Sequence, residues 1–191
     1  EGWKKYEARF RTVIGTPMRR SFPQPQWQGE PLNGKKILIH MEQGFGDAIQ
    51  FVRYIPLVAA RGATVILESY PELMGLMRQV QGVAMVIRLN TAPPPIDYHI
   101  PMMSLPRIFQ TDLDSIPAAV PYLRAQENRV YQWRTFLGPR RGKRIGVVWS
   151  GNPHFADDSI RTIPLSIFKR ILADKPDREF YVIQTAVRPT D

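Results

Sequence analysis

The stretch from Lys35 to Ile100 constrains the fold most, because short apolar runs alternate there with segments of helical period. Lys35-Lys36-Ile37-Leu38-Ile39-His40 follows the Asn33-Gly34 turn and predicts a buried strand. Asp47 to Arg61 sets Ala48, Phe51, Val52, Ile55, Val58 and Ala59 at helical spacing, and Gly62 closes it. Pro56 removes an amide bond to Val52, which predicts a kink or an interruption. Thr64 to Glu68 predicts a second strand, and Ser69 with Glu72 predicts a capping box for a helix running to Val80. Val83 to Leu89 predicts a third strand, and Asp97 to Ile100, after the rigid Pro93-Pro94-Pro95, a fourth. This β-α-β-α-β order asks for an α/β fold: a parallel, Rossmann-like sheet with helices on its faces.

The flanks read differently. Trp3, Tyr6 and Phe10 give Trp3 to Arg11 the spacing of a short amphipathic helix. Pro17 to Pro31 is punctuated by proline, which drives each preceding residue out of the helical region, so it reads as an extended strap over a domain. Late in the chain, Glu127 to Leu137 predicts a helix and Gly138-Pro139-Arg140-Arg141-Gly142 a linker. Arg144 to Trp149 then predicts a strand, Pro164 to Ala173 a helix with proline in its first turn, and Phe180 to Gln184 another strand. The boundaries are 1–34 for helix and strap, 35–126 for the first Rossmann-like domain, 127–142 for helix and linker, and 143–191 for the start of a second, incomplete one.

Composition narrows the chemistry. Cys is absent from the 191 residues, which excludes disulfides, thiolate zinc sites and cysteine nucleophiles. The three scattered histidines lack ligand spacing, so no metal site is expected. No run approaches the roughly 18 apolar residues of a membrane span, and the N-terminus lacks a signal-peptide core; a cytoplasmic protein without a transmembrane segment is expected. The missing initiating Met, and an end just after a strand-like run, suggest a piece of something longer. The formal charge is +9, densest at Arg140, Arg141, Lys143 and Arg144. Neither this cluster nor Arg19-Arg20 interleaves with aromatic residues, and no nucleic-acid-binding signature is present, so no nucleic-acid partner is expected.

Two constellations carry candidate chemistry. Glu42-Gln43-Gly44-Phe45-Gly46-Asp47-Ala48-Ile49-Gln50 follows a strand and opens a helix, where open α/β sheets bind ligands. Its two glycines allow a tight turn and close approach. Ile49 replaces the third glycine of a dinucleotide fingerprint, although Glu68 stands where a ribose-binding acid would. Asp47 has two readings, a helix N-cap or a carboxylate that takes a proton from an acceptor hydroxyl. Gln50 shares its helical face. In the second constellation, Ser150 and the amides of Gly151 and Asn152 suit an anion-binding turn, and Arg161 suits a phosphate oxygen or an ion pair with Asp157 or Asp158.

Taken in order, several stretches resemble one family: Gly2-Trp3-Lys4-Lys5-Tyr6-Glu7-Ala8-Arg9-Phe10, Pro25 to Glu30, Glu42 to Asp47 with Gln50 to Tyr54, Ser104-Leu105-Pro106, Ile116-Pro117 with Pro121-Tyr122-Leu123, and Trp149 to Pro153. It is the glycosyltransferase-like C-terminal region of bacterial tetratricopeptide-repeat proteins, of GT-B type and more distantly similar to lipopolysaccharide heptosyltransferases. The resemblance implies an acceptor-side first domain and a second domain holding a nucleotide-diphosphate sugar as donor, with no metal or other cofactor. It makes Asp47 the catalytic base and puts Ser150 and Arg161 on the donor diphosphate, beside the amides of Gly151 and Asn152 in the anion-binding turn. Glu42, Gln43, Gly44, Gly46 and Gln50 then line the acceptor crevice. The acceptor is a glycan, a lipid-linked saccharide or a protein, and upstream repeats imply a protein partner. The rival expectation is a non-catalytic binding module attached to such repeats.

Overall fold

The computed structural model describes residues 1–12, 20–151, 158–172, 177–185 and 187–188. They form two compact units, Glu1–Glu127 and Asn128–Asp191.

The first unit is built on four parallel strands, β1 (Lys36–His40), β2 (Thr64–Ser69), β3 (Val83–Arg88) and β4 (Tyr98–Pro101), in the order β3-β2-β1-β4. The predicted strands lie within one or two residues of these, and the class is α/β with a Rossmann-like parallel sheet. Alternation along the strands puts Ile37, Ile39, Val65 and Leu67 on one face. There they are buried with Val52, Ile55, Val58, Met77 and Val80 from the helices between the strands. The other face carries Leu38 and Ile66, then His40, Glu68 and His99 towards the C-terminal edge.

The helix after β1 is interrupted, as Pro56 demands: α2 (Phe45–Phe51) gives way to a 3-10 turn, Val52–Tyr54, and restarts as α3 (Ile55–Ala59) with Pro56 in its first turn. The helix starts at Phe45, two residues before the predicted Asp47, with Gly44 as N-cap. After β2, a 3-10 turn, Pro71–Leu73, leads into α4 (Met74–Met77). Ser69 does not cap it: the residue ends β2, and its hydroxyl donates to the Tyr70 carbonyl at 3.0 Å.

The proline-rich strap is more than a cover. Gln26 forms a parallel bridge with His99, the Trp27 amide donates to the His99 carbonyl at 2.9 Å, and the Trp27 ring is wholly buried. Its described part therefore extends the sheet edge beyond β4. At the N-terminus, α1 (Gly2–Tyr6) tightens into a 3-10 turn, Glu7–Arg11. After β4, the turn Met102–Ser104 opens α5 (Leu105–Ile108).

In the second unit α6 (Glu127–Leu137) falls on its predicted bounds, and β5 (Lys143–Val147) pairs in parallel with β6 (Arg178–Val182). Between them lie α7 (Asp158–Arg161) and α8 (Leu165–Leu172). Arg144 is engaged locally, donating to the carbonyls of Leu137 and Gly138 and so closing α6. Glu179 accepts from the amides of Arg141 and Gly142 and from the Tyr181 hydroxyl, which together hold its carboxyl down to about 2. Among the described residues no helix is long and apolar enough to cross a membrane.

Candidate functional site

The chain leaves β1 for β2 on one side and returns to pair β4 on the other, so the topological switch point lies beyond the C-terminal ends of β1 and β4. Open α/β sheets bind ligands at such points. Glu42, Gln43, Gly44, Gly46 and Asp47 all stand there, on the turn from β1 into α2.

Glu42 is committed to the fold. Its side chain is fully buried and receives Arg9 Nε at 3.0 Å, Arg9 Nη2 at 2.8 and 3.1 Å, and the Met103 amide at 2.9 Å. Burial pushes its carboxyl above the usual range, against the opposing pull of Arg9. Arg9 continues to Ser104 Oγ at 2.9 Å and to Glu7 at 3.0 Å, tying the N-terminal turn to the end of β4. Sequence reasoning missed Arg9, because no local pattern announces a partner 33 residues away.

Gln43 is held by its backbone. Its carbonyl accepts from the Tyr70 hydroxyl, while its amide side chain donates to the Tyr6 hydroxyl at 3.1 Å. Burial, with Asp47 and Glu68 nearby, pushes the Tyr70 phenol up, so it remains a donor to this turn. Tyr70 was also missed, although it follows β2, the neighbour of β1.

Asp47 sits at the third helical position. Its Oδ2 accepts from the Gly44 amide at 3.0 Å, which closes the helix start, and Oδ1 accepts no hydrogen bond among the described residues. The side chain is half-buried. The glycines around it are not required by the fold. Gly44 has an ordinary extended backbone, where a Cβ would meet only Asp47 Oδ2 at 3.7 Å, and a Cβ on Gly46 would meet nothing within 4 Å among the described residues. Behind the turn, Tyr122 Oη donates to the Ile49 carbonyl at 3.1 Å and Arg53 donates to the Pro117 carbonyl at 3.0 Å, bracing α2. Gln50 is exposed one turn on, at the wall of a cavity of about 610 Å³ lined also by Trp3, Tyr6, Phe51 and Tyr54. Asp47 does not line that cavity.

In the second unit three predicted residues come together. A Cβ on Gly151 would lie 2.5 to 2.7 Å from the Arg161 guanidinium, so that group rests directly on the glycine backbone. Ser150 is buried beside it, and its Oγ is without a hydrogen-bond partner among the described residues. Gln184 fixes the turn, accepting from the amides of Trp149 and Ser150 at 3.3 Å and donating to the Ser150 carbonyl at 3.0 Å. Arg161 Nε also donates to Asp158 Oδ1 at 3.0 Å, the ion pair of its structural reading. Asn152, His154 and Asp157 lie outside the described residues.

Glu68 contributes no open acid: it is buried, paired with Arg20 and bonded to the amides of Met41 and Asn90. Among the described residues no three His, Cys, Asp or Glu side chains are grouped to hold a metal ion.

No family model matches the chain, and no solved structure matches it. It is 25% identical over 195 residues to a protein of Caulobacter vibrioides named Protein FlbA, a match covering 90% of this chain and 32% of that protein. The chain therefore spans about a third of the length of the curated relative it matches.

Proposed function

We propose that this chain is part of a metal-independent inverting glycosyltransferase that moves a sugar from a nucleotide-diphosphate donor to an acceptor hydroxyl. The observation that carries the reading is the Gly44–Asp47 turn: a carboxylate with one unengaged oxygen among the described residues, at the switch point, flanked by two glycines that neither backbone conformation nor packing demands. Glycine without such a need leaves room for an outside group to approach.

In this reaction Asp47 Oδ1 takes the proton of the acceptor hydroxyl while its oxygen attacks the anomeric carbon. The bond from that carbon to the diphosphate oxygen breaks, the nucleoside diphosphate leaves with the electron pair, and the configuration inverts. Within the second unit, Ser150 Oγ and Arg161, over the Gly151 backbone, are the groups this reading assigns to a diphosphate oxygen. The resemblance of the chain's motifs to those of glycosyltransferase-like regions supports the same assignment.

A non-catalytic binding module is the second reading, favoured by the Asp47–Gly44 bond and by the burial of Glu42 under Arg9. A thermal-shift screen of nucleotide-diphosphate sugars against the full-length protein separates the two. Transfer predicts stabilisation by at least one donor; absence of any shift favours the module.

A further inference from the structure

A second cavity, of about 650 Å³, opens on the face of the sheet that carries His40 and His99. None of Glu42, Gly44, Gly46, Asp47 or Gln50 lines it. The two imidazoles stand on adjacent strands with His40 Nε2 3.2 Å from His99 Nδ1, and the Phe22 ring lies against both, at 5.1 and 4.5 Å between centroids. His40 is 1% exposed, and its other ring nitrogen, Nδ1, has no hydrogen-bond partner among the described residues. A buried polar atom left unpaired carries a cost that a ligand atom would remove.

The remaining wall is rich in donors. Arg11 makes no hydrogen bond or ion pair among the described residues, and Arg20, beneath Phe22, spends one nitrogen on Glu68. The carboxylate on the wall, Glu7, is already engaged by Arg9 and Ser104. Burial first, then His99 and the charges of Arg20 and Arg9, hold the His40 imidazole low, and burial with Arg20 lowers His99. Burial disfavours charge of either sign, but Arg11 and Arg20 on this wall favour an anion over a cation.

We propose that this cavity binds a small polar molecule carrying an oxyanion, a phosphate or a carboxylate, with Arg11 and Arg20 as its charged contacts. The volume is far larger than a lone phosphate fills, so the anion is carried on a body of the size of a sugar. The site is separate from the Asp47 turn and does not depend on the transfer reading.

Isothermal titration of the full-length protein with inorganic phosphate, glucose 6-phosphate, glucuronate and glucose tests it. Binding of at least one of the two acidic sugars is expected, with glucose binding at least about tenfold more weakly; which acidic sugar binds distinguishes phosphate from carboxylate. Arg11→Ala removes an exposed charge outside the core and should weaken the acidic sugar about tenfold, the scale of one charged hydrogen bond. Asp47→Asn should leave that affinity unchanged. The proposal is overturned if neither acidic sugar binds more tightly than glucose, or if Arg11→Ala leaves the acidic sugar's affinity unchanged.

Discussion

Arg9 closes over Glu42 at the switch point of the sheet, with its Nη2 2.8 and 3.1 Å from the two carboxylate oxygens and its Nε 3.0 Å from one of them. The N-terminal turn is thereby built into the crevice rather than appended to the domain. Breaking a buried pair leaves an uncompensated charge, so Arg9→Met should cost about 3–5 kcal/mol in denaturant unfolding. Burial already raises the Glu42 carboxyl, and losing Arg9 raises it further. The penalty should therefore shrink as pH falls and the folded variant takes up the proton.

His40 gives a second pH dependence of opposite sign. Burial, then His99, Arg20 and Arg9, hold its imidazole down to about 3. Below its ordinary titration point the unfolded chain takes a proton that the folded chain refuses, so stability is lost as pH falls from about 6.5 towards 3, by up to about 1.4 kcal/mol per pH unit. His99, lowered by burial and by Arg20, acts in the same direction. Urea unfolding at about pH 7.5 and about pH 5 should show this loss, and His40→Gln should reduce its slope.

Gly46 separates fold from function. With nothing among the described residues within 4 Å of the place a Cβ would occupy and no positive φ, Gly46→Ala should leave the unfolding midpoint unchanged or raise it. The helical gain is about 0.5–1 kcal/mol. Under the transfer reading the methyl group intrudes where the acceptor approaches, and acceptor KM should rise. An unchanged KM would remove close approach as the reason for glycine here.

Ser150 makes the matching case in the second unit. Its buried hydroxyl has no partner among the described residues, so Ser150→Ala forfeits no hydrogen bond there and should be neutral to stability or improve it by about 1 kcal/mol. Donor affinity should fall several-fold at the same time. Gly151→Ala puts its Cβ 2.5 Å from the Arg161 guanidinium, the end of a flexible, half-exposed side chain that can swing aside, so stability should change little while donor affinity falls as Arg161 is displaced.

Local patterns carried much of the fold. Helical period with a proline placed the break before α3, and the apolar runs placed β1 to β4, because burial and proline geometry act over a few residues. The glycine-rich turn was legible for the same reason. What local pattern misses is pairing at a distance. Trp27 reads as part of a strap, yet its amide joins His99, far along the chain, and its ring fills the core. Ser69 has the residue type of a cap, but parallel pairing with β3 extends β2 through it. Arg9 over Glu42 and Tyr70 on Gln43 follow from strand order, which the spacing of residues within one element does not encode.

The most direct measurement compares the natural full-length protein with its Asp47→Asn variant, supplied with the nucleotide-diphosphate sugar that stabilises it and an extract containing its acceptor. With Asp47 as the base, nucleoside diphosphate release coupled to sugar transfer should fall by about 10²- to 10⁴-fold, while donor affinity is retained. Near-normal transfer by the variant would contradict that role.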